Sequence, residues 1–415
     1  MRLAAVDRPL AAESLGLMLY GLLVLYSAGQ TDVPTAGAGV WQRQFVWFGI
    51  GLLVAWGTFR ISPRLIEWLT PAIYGTSLAL LLIVLAVGTG AGTAAGTHSW
   101  LTVGGRQIGQ PAELAKLATV LMLARYLSSR REPPRSLRDL AGPAIIVGVP
   151  FLLVMKQPDL GSALVFIGIF FSMLYWAGVR FRLLFLIASP GMSLLLAFSN
   201  VTWAFWMIGF TALLFAWRPY VWDGLTFWFL SAVMGGVALP LWHRLKPYQQ
   251  DRLLTFLNPE VDPQRAGYHA LQSKVAIGSG GWFGTGYTEG PQKRLAFLPE
   301  QHTDFVFSVV GEELGFVGVA VALALFAALL LTLVRIARRA TDPFSSLAVF
   351  GIFGLLFSHV FENVGMTVSI MPITGIPLPF FSYGGSFFVI CCICLGLAFR
   401  VAWDARLAGY ADATQ

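Results

Sequence analysis

Uninterrupted runs of apolar residues recur from one end of this chain to the other. The strands of a membrane β-barrel alternate apolar and polar residues, and these runs do not, so they predict membrane-spanning helices. Of the 415 residues, 56% are hydrophobic and only 12% are charged, against about 25% charged in an average soluble domain. This composition excludes a soluble globular enzyme, a disordered chain and a secreted disulfide scaffold.

A spanning helix needs about 20 mostly apolar residues. By that criterion we place twelve spans, several of them short, and we read the first as an uncleaved span rather than a signal peptide. They lie at 10–28, 44–59, 72–90, 111–128, 141–156, 159–177, 183–199, 203–217, 224–242, 303–334, 344–370 and 380–403. We therefore expect an all-α, polytopic transmembrane helical bundle of about 10–12 spans, formed by residues 1–415 as a single membrane domain.

Arginine and lysine orient the spans, because short cytoplasmic loops are enriched in both residues. The arginine-rich loop 125–139 indicates a cytoplasmic side, which also places the N-terminus in the cytoplasm. Residues 243–303 then form one large outer loop, and the Gly- and Thr-rich stretch 88–110 forms a flexible outer loop. The net charge of +7 follows from this loop pattern, so we do not expect a nucleic-acid partner. The only cysteines, Cys391, Cys392 and Cys394, share one apolar run and suggest packing, not a metal site.

Ionisable residues inside spans are costly and mark functional sites by default. Glu113 and Lys116 are three residues apart, on one face of the fourth span. They could be an ion pair that holds two spans together, the charged wall of a polar cavity, or both. His359 and Glu362 have the same spacing in the eleventh span, and Glu362 needs a partner that the sequence does not identify. Asp159 follows a proline that interrupts a helix, which favours a helix cap.

The outer loop holds further candidates. Asp262 lies between prolines and is followed by glycine, a context that suits a general base, although Asp-Pro can simply begin a turn. His302 and Asp304 are too few and too close together for a metal site. Ser382 opens the last span after three prolines, but no Gly-x-Ser-x-Gly motif surrounds it, so we reject a nucleophilic role. Glu312 and Glu313 fall about three turns into the tenth span.

Taken together, these motifs resemble the SEDS family (shape, elongation, division and sporulation), and they occur in that family's order. The landmarks are Gln110-Pro111-Ala112-Glu113, Gln157-Pro158-Asp159-Leu160-Gly161, Asp262-Pro263 to Gly267-Tyr268, Leu298-Pro299-Glu300, His302-Thr303-Asp304-Phe305, Gly311-Glu312-Glu313-Leu314-Gly315 and Ser382-Tyr383-Gly384-Gly385-Ser386. Two further runs, 363–366 and 375–379, resemble the rod-shape member more than the division member. The chain departs from the family pattern in about two extra spans between Arg182 and His243, and also at His98, Glu362 and Phe387.

The resemblance implies a peptidoglycan glycosyltransferase of the bacterial inner membrane that polymerises lipid II, an undecaprenyl-pyrophosphate-linked disaccharide peptide, at the outer face during elongation. It implies as partners a class B penicillin-binding protein and other membrane proteins of the elongation complex. The family's essential loop aspartate falls on Asp262, and its intramembrane Glu/Lys pair falls on Glu113 and Lys116. The substrate-binding or cavity residues that we expect are Glu113, Lys116, Trp100, Asp159, Arg244, Lys274, His302, Asp304 and Ser382.

The residue types fit an inverting transfer in which Asp262 takes the proton of the acceptor hydroxyl. Basic residues of the outer loop, with Arg244, Arg252, Arg265 and Lys274 as candidates, or a divalent cation such as magnesium or manganese, would stabilise the departing pyrophosphate. The lipid tails would lie in a groove between spans. A transporter that flips the same lipid is the alternative, because buried charges also suit a translocation path. A non-enzymatic scaffold is the third alternative, and it requires neither buried charge nor Asp262.

Overall fold

The fold is a bundle of long helices. A computed structural model describes residues 6–35, 37–90, 99–103, 106–244, 250, 267–298 and 300–412. Its helices are α1 (Arg8–Ala28), α2 (Val40–Arg60), α3 (Pro63–Val87), α4 (Pro111–Ser128), α5 (Leu137–Lys156), α6 (Leu160–Trp176), α7 (Phe181–Leu196), α8 (Asn200–Trp217), α9 (Val221–Arg244), α10 (Tyr268–Ser279), α11 (Pro291–Arg294), α12 (Val306–Arg339), α13 (Pro343–Thr367) and α14 (Gly385–Asp412).

Each of the twelve predicted spans coincides with one of these helices, namely α1 to α9 and α12 to α14. Within the described residues, eight are long and apolar enough to cross a membrane: α1, α3, α5, α8, α9, α12, α13 and α14. Helices α6 and α7 are apolar but shorter, with 17 and 16 residues. The chain is therefore a multi-pass membrane protein built from helices.

Several boundaries differ from the predicted ones because local signals extend the helices. Helix α3 begins at Pro63, well before residue 72, since Ser62 accepts a hydrogen bond from the Leu65 amide as an N-cap and Pro63 suits the first turn. The predicted flexible loop 88–110 is instead partly ordered. Its described end forms an antiparallel hairpin of β1 (Leu101–Val103) and β2 (Arg106–Gly109), which leads directly into α4.

The region between Arg182 and His243 contains three helices, α7, α8 and α9, of which α8 and α9 are long and apolar enough to cross a membrane. Helix α7 packs along α9, and Ser193 of α7 donates to the Ser231 carbonyl of α9. The Trp203 indole of α8 donates to Ser193 Oγ over 2.9 Å, so polar contacts join all three helices. Helix α8 leaves most of its surface uncovered, because only Phe210 of its residues is buried. This group therefore forms the edge of the bundle.

Helix α13 is the centre of the bundle. It packs against α4, α6, α12 and α14, and 78% of its most apolar stretch is buried within the protein. Helix α4 is nearly as well covered, with Glu113 and Lys116 among its buried residues. Glu113 and Lys116 of α4 lie where these two helices meet.

Helix α12 is too long to be only a membrane span. Its 34 residues would extend for about 51 Å at 1.5 Å per residue, whereas the hydrocarbon core is about 30 Å thick. Gly315 breaks it, with a φ of 62° and a ψ of −160° that favour glycine. The stretch after Gly315 suffices for the span, and residues 306–313, all buried, form a separate segment that packs inside the protein.

Candidate functional site

Glu113 and Lys116 form the predicted ion pair at the first turns of α4. The ammonium Nζ of Lys116 lies 2.8 Å from Glu113 Oε1, and the two side chains are 0% and 3% exposed. Pro111 begins the helix, and the three-residue spacing then places both side chains on one face. The pair is fully removed from water, so it needs further polar contacts to be stable.

His359 on α13 supplies that contact. Its Nε2 lies 3.0 Å from Lys116 Nζ, and its Nδ1 lies 3.1 Å from the carbonyl oxygen of Pro377. The Lys116 ammonium can only donate and the Pro377 carbonyl can only accept, so the two partners determine the tautomer of His359. Its Nδ1–H donates to the Pro377 carbonyl, and its Nε2 accepts from Lys116. The imidazole is therefore neutral, and the pair links α4 to α13 while forming a buried polar group.

Asp159 caps α6, as its position after a proline predicted. Its Oδ1 accepts from the Ser162 amide over 3.0 Å, and its Oδ2 accepts from Gln110 Nε2 over 2.7 Å. Gln110 immediately precedes α4. Two separate sequence motifs thus meet here, and Asp159 holds the start of α6 beside the start of α4.

Ser382, His302 and Asp304 lie together because the segment before α12 is tied to α13 and α14. Ser382 Oγ donates to the Thr303 carbonyl and accepts from the Leu378 amide, while the Tyr383 amide donates to the His302 carbonyl over 2.9 Å. The Asn363 amide nitrogen donates to the Asp304 carbonyl over 2.9 Å. Both hydrogen bonds of the Ser382 hydroxyl are thus made with the backbone.

His302 is largely buried in this segment, and its side chain is only 13% exposed. Burial lowers the pKa of His302, the Arg43 guanidinium lowers it further, and the nearby Glu300 carboxylate opposes both. The imidazole therefore stays neutral at pH 7.

The other candidates lie apart from this group or outside the described residues. Trp100 is half-buried and pairs with Thr89 through the backbone, while Arg244 and Lys274 are exposed, on α9 and α10. None of the three bonds to Glu113, Lys116 or His359. Asp262, Arg252 and Arg265 lie outside the described residues. Among the residues that are described, no three His, Cys, Asp or Glu side chains gather as metal ligands.

An apolar groove of about 740 Å³ runs between α6, α7 and α13. Its walls are mainly aliphatic and aromatic side chains, including Ile167, Phe171, Phe185, Phe357 and Phe361. Glu362 also lines the groove and is 3% exposed, and its Oε2 has no hydrogen-bond partner among the described residues. The sequence left the partner of Glu362 open, and Glu362 is the one acidic or basic residue among those that line the groove.

A second buried ionic cluster forms where α1, α12 and the outer loop meet. Lys293 Nζ lies 2.6 Å from Glu313 Oε1 and 3.1 Å from Ser27 Oγ, and both charged side chains are at most 2% exposed. Glu312 accepts from the amides of Gln292 and Lys293 at the start of α11. Sequence reasoning identified the two glutamates but not Lys293, because the contact closes only when the outer loop folds back onto α12.

Comparison with known proteins gives consistent results along the whole chain. A sequence profile described as "Cell cycle protein", covering FtsW, RodA and SpoVE, matches residues 10–407. The peptidoglycan glycosyltransferase RodA of Treponema pallidum (strain Nichols) is 35% identical over 95% of this chain and 97% of its own. The peptidoglycan glycosyltransferase MrdB of Escherichia coli (strain K12) is 34% identical over 93% of this chain and 90% of its own.

Two solved structures share the fold. One, from a study of polymerization and crosslinking by a peptidoglycan synthase complex, superposes with a TM-score of 0.70 at 31% identity and covers 96% of this chain and 98% of that chain. The rod-shape-determining protein RodA of Thermus thermophilus superposes with a TM-score of 0.63 at 29% identity and covers 97% of this chain and 99% of that chain. With its motifs, its bundle and these matches, the chain belongs to the FtsW/RodA/SpoVE family, the SEDS family of membrane proteins.

Proposed function

We propose that this protein is a peptidoglycan glycosyltransferase that polymerises lipid II into glycan strands during cell elongation. The observation that carries the proposal is the match along nearly the whole chain to relatives named as peptidoglycan glycosyltransferases RodA and MrdB. The site geometry supports the same conclusion, because a buried polar group and an apolar groove meet on α13.

The groove suits the lipid part of such a substrate. It is open along α6, α7 and α13, and its walls are almost wholly apolar. A polyprenyl chain buried there is stabilised by removal of apolar surface from water or by close packing. Glu362 lines the groove three residues after His359 on the same helix, so we place the polar end of the lipid near Glu362.

The transfer needs one base and one site for negative charge. Asp262 takes the proton of the acceptor sugar's 4-hydroxyl as that oxygen attacks the anomeric carbon of the donor. The bond between this carbon and the lipid pyrophosphate breaks, the pyrophosphate leaves with the electron pair, and a single displacement inverts the configuration to a β linkage. Basic side chains on the outer face, with Arg244 and Lys274 as the described candidates, stabilise the charge on the leaving group.

A divalent cation, magnesium or manganese, is also part of the proposal. Magnesium sites commonly use one or two carboxylates together with substrate phosphates. Within the part of the chain that the structure describes, no three His, Cys, Asp or Glu side chains gather as a metal site. Polymerisation assayed with added Mg²⁺, with Mn²⁺ and with EDTA tests this part of the proposal.

We further propose a class B penicillin-binding protein as the partner, which crosslinks the strands made here. The structural neighbour from a synthase complex that coordinates polymerization with crosslinking supports this. Other membrane proteins of the elongation complex complete the proposed assembly.

The test of the function is reconstitution. Purified protein with labelled lipid II, alone and with the penicillin-binding protein, should yield glycan strands that resolve as a ladder on a gel. Lipid II movement across liposomes without any ladder would instead support the flippase alternative. Absence of both activities in a folded, partner-bound sample would support the scaffold.

The site's side of the membrane gives a separate prediction. We place the N-terminus and 125–139 in the cytoplasm and 243–303 outside, because the arginines concentrate in the former loops. Exposed Ser129 and Ser279 are suitable reporters, and all three native cysteines are buried. In intact cells an impermeant maleimide should label Ser279→Cys and not Ser129→Cys, with both labelled after lysis. The reverse pattern would overturn the orientation.

A further inference from the structure

A short turn of the outer loop exposes large aromatic side chains. Trp282 is 70% and Phe283 is 82% exposed, and Tyr287 is 42% exposed. Trp282 packs edge-on against Phe316, which is itself 58% exposed on α12, with ring centroids 5.1 Å apart. Surface this apolar on a rigid turn indicates contact with something other than water.

The backbone of the turn forms hydrogen bonds with the backbone groups that the break in α12 leaves unpaired. The amides of Thr285 and Gly286 donate to the carbonyls of Glu312 and Glu313, which the helix leaves free at Gly315. In return the amides of Phe316 and Val317 donate to Gly281 and Trp282. Non-helical backbone can enter the membrane region only when its polar groups are paired in this way.

Glycines make this approach possible. A Cβ on Gly284 would lie 1.9 Å from the Glu313 carbonyl, and one on Gly315 would lie 2.3 Å from the Gly284 amide. The buried Lys293–Glu313 pair lies next to the same break and holds the loop from its inner side. The turn is therefore fixed in position against α12.

The length of α12 after its break places the turn at the level of the membrane surface. Phe316 to Arg339 rises about 36 Å at 1.5 Å per residue, slightly more than the hydrocarbon thickness of about 30 Å. With Arg338 and Arg339 at the cytoplasmic edge, Gly315 lies at the opposite interface. Tyr287 bonds to the Leu23 carbonyl near the outer end of α1, whose exposed Leu19 and Leu23 continue the apolar surface.

We propose that residues 281–287 form a bilayer anchor, in which Trp282 and Phe283 enter the outer leaflet at the headgroup boundary and fix the height of the outer loop. Tryptophan favours this boundary because its ring is apolar and its N–H remains hydrated. The occupant is the lipid itself, since the exposed surface continues into the lipid-facing sides of α1 and α12. The proposal depends on the membrane embedding of α12 and not on the catalytic assignment.

The first test measures depth. A nitroxide at Phe283→Cys, on the full chain in lipid nanodiscs, should collide more often with oxygen than with a water-soluble nickel chelate. Leu331→Cys, on the exposed side of α12, is the bilayer reference, and Glu289→Cys in the same loop is the aqueous reference. A Phe283 label that behaves like the Glu289 label overturns the anchor. Protection from both reagents also overturns it, because another protein surface would then cover the turn.

The second test avoids a label at the turn. Quenching by lipids brominated near the headgroup is compared between the unaltered protein and Trp282→Phe, so that the difference reports Trp282 alone among 14 tryptophans. We expect Trp282 to account for a measurable part of the quenching by shallow bromines and for less by bromines near the chain ends. No difference at either depth refutes the proposal.

Discussion

Asp262→Asn is expected to lower the rate of lipid II polymerisation by about 10²–10⁴-fold, the usual contribution of a general base. The substitution keeps the shape of the side chain and removes its basicity, so the acceptor hydroxyl would attack without losing its proton. Membrane insertion and binding of the penicillin-binding protein should be unchanged. The measurement is a time course of glycan strands on a gel, at equal protein in the same lipid.

Two variants sharpen this experiment. Asp262→Glu should recover little activity, because one extra methylene moves the carboxylate by about 1 Å and transfer is sensitive to displacements of that size. Glu260→Gln, two residues away in the same loop, removes a neighbouring carboxylate and should remain active. Polymerisation at the normal rate by Asp262→Asn would show that another group accepts the proton.

Glu113→Ala is expected to destabilise the protein by about 3–5 kcal/mol, because it leaves the Lys116 ammonium buried without its counter-charge. His359 cannot replace the carboxylate, since its neutral ring offers Lys116 one lone pair and no charge. The change should appear as a lower midpoint in thermal unfolding in detergent, together with loss of polymerisation. A variant of normal stability and activity would show that the pair is dispensable.

A double variant separates stability from function. Glu113→Leu with Lys116→Met replaces the ion pair by apolar groups of similar length, and such replacements are often neutral or stabilising. We expect the thermal midpoint to recover and polymerisation to remain lost. Recovery of both would mean that the pair only holds α4 in place.

The sequence predicts the helices of this fold well because apolar runs determine what can lie in a bilayer. All twelve predicted spans are helices. The features that the sequence does not predict depend on very short segments or on contacts between residues far apart in the chain. The hairpin before α4 has only seven residues in its strands. The break at Gly315 lies two residues after Glu313, within a stretch that the length criterion predicts as one span.

In the site too, contacts within one helix could be predicted from the sequence and contacts between distant segments could not. The Glu113–Lys116 pair could be predicted because both residues lie on one helix and their spacing determines their direction. His359 could not be paired with Lys116, because 243 residues separate them and only the packing of α13 on α4 joins them. The same applies to Lys293, whose contact with Ser27 crosses 266 residues.

The arrangement at Lys116 also determines how far the field of the Glu113–Lys116–His359 group extends. One carboxylate, one ammonium and a neutral imidazole sum to no net charge, so from a distance the group acts as a dipole and not as an ion. A dipolar field weakens faster with distance than that of an ion, and the buried pair is little affected by dissolved salt. Long-range attraction of a pyrophosphate therefore depends on exposed cations such as Arg244 and Lys274, whose fields are screened over a Debye length of about 10 Å at 0.1 M salt. Ionic strength should accordingly alter how fast the substrate is captured and leave the bound complex largely unaffected.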